Sequence, residues 1–168
     1  MYAFAPDLLE QQLATARRIV GDAVVVRAGD LVQAGLDAAR SAPAGLVHTD
    51  VVLTNVIWTG SAAIPVDFEF ACVGPVDLDV DCVGREVVGR RDRVAIEGLR
   101  DALASTLERA GAIQRLRGYS LLRDLWALGK WADHDPSLTD ATTWGPARDL
   151  IADTTQSGWI DQLLDAEH

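Results

Sequence analysis

A short stretch in the first half of the chain places polar residues between apolar ones. It reads LVHTDVVLTNVIW over residues 46–58, with His48 two residues before Asp50 and Asn55 five residues after it. Asp67 follows twelve residues after Asn55, within IPVDFEF. A carboxylate can orient a hydroxyl group and accept its proton, and carboxylate and amide oxygens can hold Mg²⁺ against phosphates. The residue types and their spacing therefore indicate phosphoryl-transfer chemistry.

These motifs, followed by a Gly-Pro-x-x-x-Asp segment over residues 74–79, resemble the aminoglycoside phosphotransferase and choline kinase superfamily, whose members have a protein-kinase-like fold. The resemblance implies that Asp50 is the catalytic base and that His48 braces the catalytic loop from behind. It also implies that Asn55 and Asp67 bind the metal and, through it, the nucleotide cofactor.

Aspartates alternate with apolar residues after the segment that contains Asp67. The resemblance implies that Asp79 hydrogen-bonds back onto the catalytic loop. Asp77, Asp79 and Asp81 could alternatively form a calcium-binding loop. Cys82, however, stands where such a loop needs a glycine, and Val88 stands where it needs the closing glutamate. We therefore expect no calcium site here.

The half of a kinase that covers the nucleotide is not evident in the sequence. Kinases of this class carry a glycine-rich loop and a lysine ahead of the catalytic loop. The sole lysine here is Lys130, and residues 1–47 read mainly as helices. Because the chain opens with Met1 and a predicted helix, we expect a kinase-like C-terminal lobe with the N-terminal lobe absent. Autonomous kinase activity should then be low or absent.

Three functions are compatible with this pattern. The chain could be the catalytic-loop subunit of a split kinase, acting with ATP and Mg²⁺ on a small-molecule or peptide hydroxyl, with a second chain supplying the missing lobe. It could be a pseudokinase-type binding or scaffold protein whose apolar upper face is covered by a partner or by a second copy in a homodimer. It could also be a lyase or cyclase in peptide natural-product biosynthesis, and it would then use neither ATP nor Mg²⁺.

Acidic and aromatic residues elsewhere are candidates for substrate binding. In related enzymes the C-terminal helices form the acceptor-binding wall. Candidate contacts for a cationic substrate are Glu69, Asp124, Asp133 and Asp135. An aromatic pocket could involve Trp126, Trp131, Trp144 and Trp159. The alternatives are a solvated acidic face and tryptophans that pack in the core.

The composition is that of a folded globular domain, with 49% hydrophobic and 24% charged residues. A formal net charge of −10 disfavours a nucleic-acid partner, because phosphate binding needs clustered cations. No leader or membrane-spanning run is evident, and Cys72 and Cys82 lack the spacing of a zinc or redox motif. We expect a cytoplasmic protein.

The hydrophobic periodicity predicts an α+β, mostly helical fold. We expect a single domain over residues 1–168, with a motif-bearing core at 44–81 and a helical bundle at 84–164. Helices are predicted at 7–20, 30–40, 92–112, 116–132 and 144–164. Strands are predicted at 45–48, 55–58 and 63–70, with a hairpin around Gly60, and residues 24–26 form a further strand-like run.

Overall fold

Helices dominate the fold, and two small sheets lie between the second and third of them. The computed structural model describes residues 6–134 and 145–165. In chain order the elements are α1 (Pro6–Val20), α2 (Asp22–Ala39), β1 (Ala44–Val47), β2 (Val56–Trp58), β3 (Ala63–Pro65), β4 (Cys72–Pro75), α3 (Leu78–Gly89), α4 (Arg93–Leu107), α5 (Ala112–His134), α6 (Gly145–Ser157) and α7 (Trp159–Asp165). The protein is therefore a mostly helical α+β protein, as the sequence predicts.

Helix α2 begins earlier than the sequence predicts. It starts at Asp22 rather than at residue 30, so the strand-like run 24–26 is helical and that prediction is wrong. Val25 is buried, and Ala28 and Val32 follow it at helical spacing on the same buried face. Burial of this face outweighs the modest preference of valine for strands.

Helices α2 and α5 approach each other at backbone distance. A Cβ atom added to Gly118 of α5 would lie 2.8 Å from the Cα atom of Gly35 in α2. The glycine pair therefore lets the two helix backbones touch. Around this contact, helices α1, α2, α5 and α6 enclose one core cluster, formed by Ala16, Val25, Ala28, Val32, Leu121, Leu122, Leu125, Leu128 and Ile151.

Both sheets are antiparallel pairs. Strands β2 and β3 form the predicted hairpin around Gly60, whose φ is 92°, and Ile57 lies opposite Ile64. Strand β1 pairs with β4, with Leu46 opposite Val73. The sequence does not predict β4, because a four-residue strand containing glycine and proline has a weak local signal and its partner is distant along the chain.

The strand predicted over residues 63–70 is much shorter in the structure. Strand β3 ends at Pro65, which has no N–H to donate, and Asp67 then adopts a left-handed backbone with φ 66°. One further backbone hydrogen bond, from the N–H of Val66 to the carbonyl of Asn55, keeps this segment beside β2. The segment after β3 is thereby held next to the polar loop that precedes β2.

A second core cluster joins α3, α5 and α7 to β1. It consists of Val47, Leu78, Val88, Leu116, Tyr119, Trp159, Ile160 and Leu163, with partly buried residues of α4 packed against it.

The helix predicted to reach residue 112 ends at Leu107, and Gly111, with φ 73°, precedes α5. The predicted helix 144–164 is divided into α6 and α7 at Gly158, because glycine is a poor helix former. None of the helices described is both long and apolar enough to cross a bilayer.

Candidate active site

Residues 48–55, here called the His-x-Asp loop, connect β1 to β2 and end in a 3₁₀ turn at Leu53–Asn55. The first half of the loop is held by Asp79, in the first turn of α3. The carboxylate of Asp79 accepts the backbone N–H of His48 at 2.9 Å on Oδ2 and that of Thr49 at 2.7 Å on Oδ1. Because hydrogen bonds to a charged acceptor are stronger than neutral ones, this pair fixes the loop to the helix.

The ring of His48 links the loop to the segment after β3. Its Nε2 lies 2.7 Å from the carbonyl oxygen of Val66, and its Nδ1 lies 3.3 Å from the backbone N of Asp50. A carbonyl can only accept and a backbone N–H can only donate, so Nε2 carries the proton and Nδ1 accepts. The ring also packs against Phe68, at 4.5 Å between centroids. Both ring nitrogens of His48 are therefore occupied by the backbone.

Thr49 has the most constrained backbone of the loop. It is fully buried and adopts φ 68°, a left-handed conformation that β-branched residues rarely take. Its hydroxyl donates to the carbonyl of Phe70 at 3.1 Å, and its own carbonyl accepts from Nη2 of Arg123 at 3.2 Å and from Sγ of Cys82 at 3.4 Å. Burial raises the pKa of the Cys82 thiol, which keeps the proton that it donates.

Asp50 and Asn55 are joined directly. Nδ2 of Asn55 donates to Oδ2 of Asp50 at 2.9 Å and to the backbone carbonyl of Asp50 at 3.1 Å. Both residues are half-buried. The amide nitrogen of Asn55 thus faces the carboxylate, which orients the amide oxygen away from it.

Asp67 is exposed, and the residue before it is hydrogen-bonded to the backbone of Asn55. Its neighbour Val66 contacts both Asn55, through its N–H, and His48, through its carbonyl. Aspartate tolerates the left-handed backbone better than most residues. The fold therefore brings the backbone at Asp67 to the loop that carries Asp50.

Oxygen atoms of these three residues have no protein partner in the described chain: Oδ1 of Asp50, Oδ1 of Asn55 and the carboxylate of Asp67. Carboxylate and amide oxygens are the ligands that Mg²⁺ prefers, so the donor set fits this cation. Within residues 6–134 and 145–165, no three His, Cys, Asp or Glu side chains converge as a metal cluster. A cation here would therefore need Asn55 and non-protein oxygens, such as those of phosphates and water.

The aspartates at positions 77, 79 and 81 bind different partners. Asp77 pairs with Arg115, Asp79 binds the loop, and Asp81 accepts from Arg123 at 3.0 Å. Each carboxylate is thus engaged by its own protein N–H groups, those of Arg115 and Arg123 on α5 and those of the loop backbone. The arrangement is incompatible with a calcium loop, which would need the carboxylates to face a common centre.

Asp124, a candidate substrate contact, lies in the interior. Its carboxylate binds Nη1 of Arg85 at 2.7 Å and the hydroxyl of Thr154 at 2.5 Å. Burial raises the pKa of Asp124, and the hydrogen bonds from Arg85 and Thr154 oppose that shift. The structure therefore does not bring Asp124 to an open surface.

The other candidate substrate contacts are spread over the molecule. Glu69 is exposed on the segment after β3, and Trp126 is exposed on α5, where Nζ of Lys130 lies 5.8 Å from its ring centroid. Trp159 is buried and donates from Nε1 to Asp81 at 2.8 Å, so it packs in the core. Residues outside the described part include Asp135 and Trp144, and the side chains of Trp131 and Asp133 also lie outside it.

Sequence reasoning did not single out the arginines that support the loop. Arg123 contacts the loop carbonyl of Thr49, and Arg85 binds Ser120 and Asp124 on the same helix as Arg123. One signal was available, since polar residues interrupt the buried face of α5. Buried arginines need acceptors, so such positions indicate an internal ion-pair network.

Comparison with known protein families agrees with this geometry. The model of the phosphotransferase enzyme family matches residues 2–119, which include α1, α2, the His-x-Asp loop, Asp67 and Asp79. The chain therefore belongs to the phosphotransferase enzyme family, and the resemblance inferred from its motifs is confirmed. A search of curated proteins and a search of solved structures each gave no significant match.

Proposed function

We propose that this chain provides the catalytic loop and metal ligands of an ATP- and Mg²⁺-dependent phosphotransferase that acts on a hydroxyl group of a small molecule or peptide. The observation that carries the proposal is the direct hydrogen bond between Asn55 and Asp50, in a loop that Asp79 fixes. Family membership supports the reaction class.

In this proposal Asp50 is the base. One carboxylate oxygen is bound by Asn55, and the other has no protein partner in the described chain, so it can accept a hydrogen bond from the acceptor hydroxyl. The hydroxyl oxygen bonds to the γ-phosphorus, the bond from that phosphorus to the bridging oxygen breaks, and the hydroxyl proton goes to Asp50. Asn55 and Asp67 would hold Mg²⁺, which neutralises charge on the phosphates.

We propose further that another polypeptide covers the site. Exposed apolar side chains lie on the strands of the β2–β3 hairpin and on the segments next to them: Leu53, Ile57, Trp58, Ile64 and Phe68. Clusters of this kind mark interaction surfaces. The 168 residues contain one lysine, Lys130, which lies on α5 beside Trp126. In this proposal the covering polypeptide, a partner or a second copy, supplies a lysine for the phosphates. A binding or scaffold protein without turnover is the second candidate, favoured by this same apolar surface.

The test is a comparison of nucleotide binding and transfer. We expect ATP with Mg²⁺ to raise the melting temperature of the wild-type chain, because a ligand that binds only the folded state stabilises it. Asp67→Asn should lose this increment. Asp50→Asn should keep it and, with the partner polypeptide present, lose transfer of the γ-phosphoryl group, and Asp101→Asn, an exposed change on α4, should behave as wild type. Absence of any increment in the wild type would reject nucleotide binding.

The partner proposal needs its own measurement. Light scattering on the purified chain, and co-purification from the source cell, should reveal a second copy or a second polypeptide. Trp58→Ser on the hairpin should abolish that association. Val94→Ser removes an equally exposed apolar side chain from α4 and should leave it intact. Equal association of the two variants would contradict a hairpin interface.

A further inference from the structure

We propose that Arg123 of α5 is a positioning residue for Asp50, acting through the backbone of Thr49. The proposal deepens the proposed function and rests on it, since it assigns a role to a residue outside the His-x-Asp motif. Arg123 lies four residues beyond the part of the chain that the family model matches.

Thr49 directly precedes Asp50, so its φ and ψ angles set the direction in which the Asp50 side chain leaves the loop. A left-handed conformation is unfavourable for a β-branched residue and persists only where surrounding contacts enforce it. At Thr49 those contacts involve every polar atom: the N–H binds Asp79, the hydroxyl binds Phe70, and the carbonyl binds Arg123 and Cys82.

The peptide unit between Thr49 and Asp50 is held at both of its polar atoms: its carbonyl accepts from Arg123 and Cys82, and its N–H donates to Nδ1 of His48 at 3.3 Å. The N–H contact with Asp79 lies on the other side of the Thr49 Cα atom. Nη2 of Arg123 reaches the carbonyl at 3.2 Å with a charged donor, whereas the Cys82 thiol is a weak donor at 3.4 Å. Arg123 provides the charged donor on this peptide, whereas the Asp50 N–H donates to His48 at the longer distance of 3.3 Å, so Arg123 contributes most to the orientation of the peptide.

Arg123 is itself fixed by a buried acceptor. Its Nε donates to Oδ2 of Asp81 at 3.0 Å, while Oδ1 of Asp81 accepts from Trp159 at 2.8 Å. Asp81 is fully buried, and Arg85 lies 3.4 Å from the same Oδ1. The guanidinium thus spans acceptors on two elements, Asp81 and the Cys82 sulfur on α3 and the Thr49 carbonyl on the loop, which a lysine ammonium cannot do with the same geometry.

The first experiment measures Mn²⁺ binding, as a probe of the magnesium site, by electron paramagnetic resonance in the presence of ATP. We expect Arg123→Lys to weaken binding by about fivefold or more, the effect of releasing one left-handed residue. Arg117→Lys is the matched control, because Arg117 lies on the same helix and pairs with Asp161 rather than the loop. Equal affinities for the two variants would overturn the proposal.

A second comparison separates backbone restraint from general packing. Thr49→Ala and Thr49→Gly both remove the hydroxyl and methyl groups, but only glycine adopts positive φ without cost. With Arg123 present, the two variants should bind Mn²⁺ within about twofold of each other. In an Arg123→Lys background the glycine variant should bind about fivefold more tightly than the alanine variant. The same ratio in both backgrounds would contradict the proposal.

A third readout does not depend on the proposed function. Amide hydrogen exchange of Thr49 and Asp50 should be faster in Arg123→Lys than in Arg117→Lys, without nucleotide or metal. If the wild type bound no Mn²⁺ with ATP, the proposed function would fail, and the exchange rates would still decide whether Arg123 restrains the loop. Unchanged exchange would reject that restraint.

Discussion

Arg115 and Asp77 form an ion pair in the interior, with each side chain only 3% exposed. Nε of Arg115 lies 2.8 Å from Oδ2 of Asp77, and its Nη1 binds the carbonyl of Ala110. Asp77 directly precedes α3, the helix that presents Asp79 to the His-x-Asp loop. The pair therefore ties the start of α3 to α5, on which Arg123 also lies.

Removing one partner of this pair should be strongly destabilising. Arg115→Met leaves the Asp77 carboxylate buried without its cation, and we expect a loss of about 3–5 kcal/mol in the free energy of unfolding. Arg93→Met breaks an exposed pair with Glu97 and should cost less than about 1 kcal/mol. Urea denaturation of both variants tests the difference, and similar midpoints would show that the interior pair is not important for stability.

Substitutions at Asp67 should separate metal binding from backbone strain. Asp67→Asn removes the charge but tolerates φ 66°, so stability should change by less than about 0.5 kcal/mol while Mn²⁺ binding is lost. Asp67→Ala loses the same ligand and should also be destabilised by about 1 kcal/mol. Denaturation and Mn²⁺ titration check both effects. Retained Mn²⁺ affinity in Asp67→Asn would remove Asp67 from the ligand set.

The raised pKa of Asp124 predicts a pH dependence of stability. The folded state holds a proton on this carboxyl more readily than the unfolded state, whose pKa is near the ordinary value of 3.8. The stability of the wild type relative to Asp124→Asn should therefore be greatest below pH 3.8 and fall as pH rises through the raised pKa. Denaturation at a series of pH values measures this difference. A difference that grows with pH would mean that the Arg85 contact outweighs burial.

Two glycine substitutions in helices should have opposite signs. In Gly118→Ala the new Cβ meets the α2 backbone, so we expect a loss of about 1–3 kcal/mol or more. In Gly98→Ala, on α4, the new Cβ meets nothing within 4 Å, and higher helix propensity should add about 0.5–1 kcal/mol. Thermal denaturation of the two variants distinguishes these outcomes. Destabilisation by Gly98→Ala would show that α4 is packed differently.

Local sequence signals predicted most helices and the β2–β3 hairpin, because periodic apolar residues and a glycine turn are short-range features. They did not predict β4, nor that Val24 and its neighbours are helical. Both depend on contacts with distant segments: β4 exists through its pairing with β1, and α2 is stabilised by burial against α5. The boundaries that failed lie where tertiary contacts oppose local preference.

The features of the candidate site also divide into those that local sequence predicts and those that depend on distant contacts. The spacing of His48, Asp50 and Asn55 identified the loop, because these residues are close in sequence and their types are specific to the chemistry. The left-handed backbone of Thr49 and the contact from Arg123 could not be derived, since threonine gives no signal for positive φ. Arg123 lies 74 positions from Thr49, and the residues around it in the sequence do not indicate which acceptor it binds.

The carboxylate of Asp81 has consequences for how this chain can be shortened. Asp81 lies inside the region by which the family is recognised, yet two of its donors, Arg123 and Trp159, lie beyond residue 119. An expression fragment cut at the edge of the recognised region would remove these two donors and leave Arg85 as the remaining described partner of the carboxylate. We therefore expect a fragment that folds on its own to extend into α7, and affinity tags or fusion partners at that end should be joined through a linker that leaves Trp159 in place.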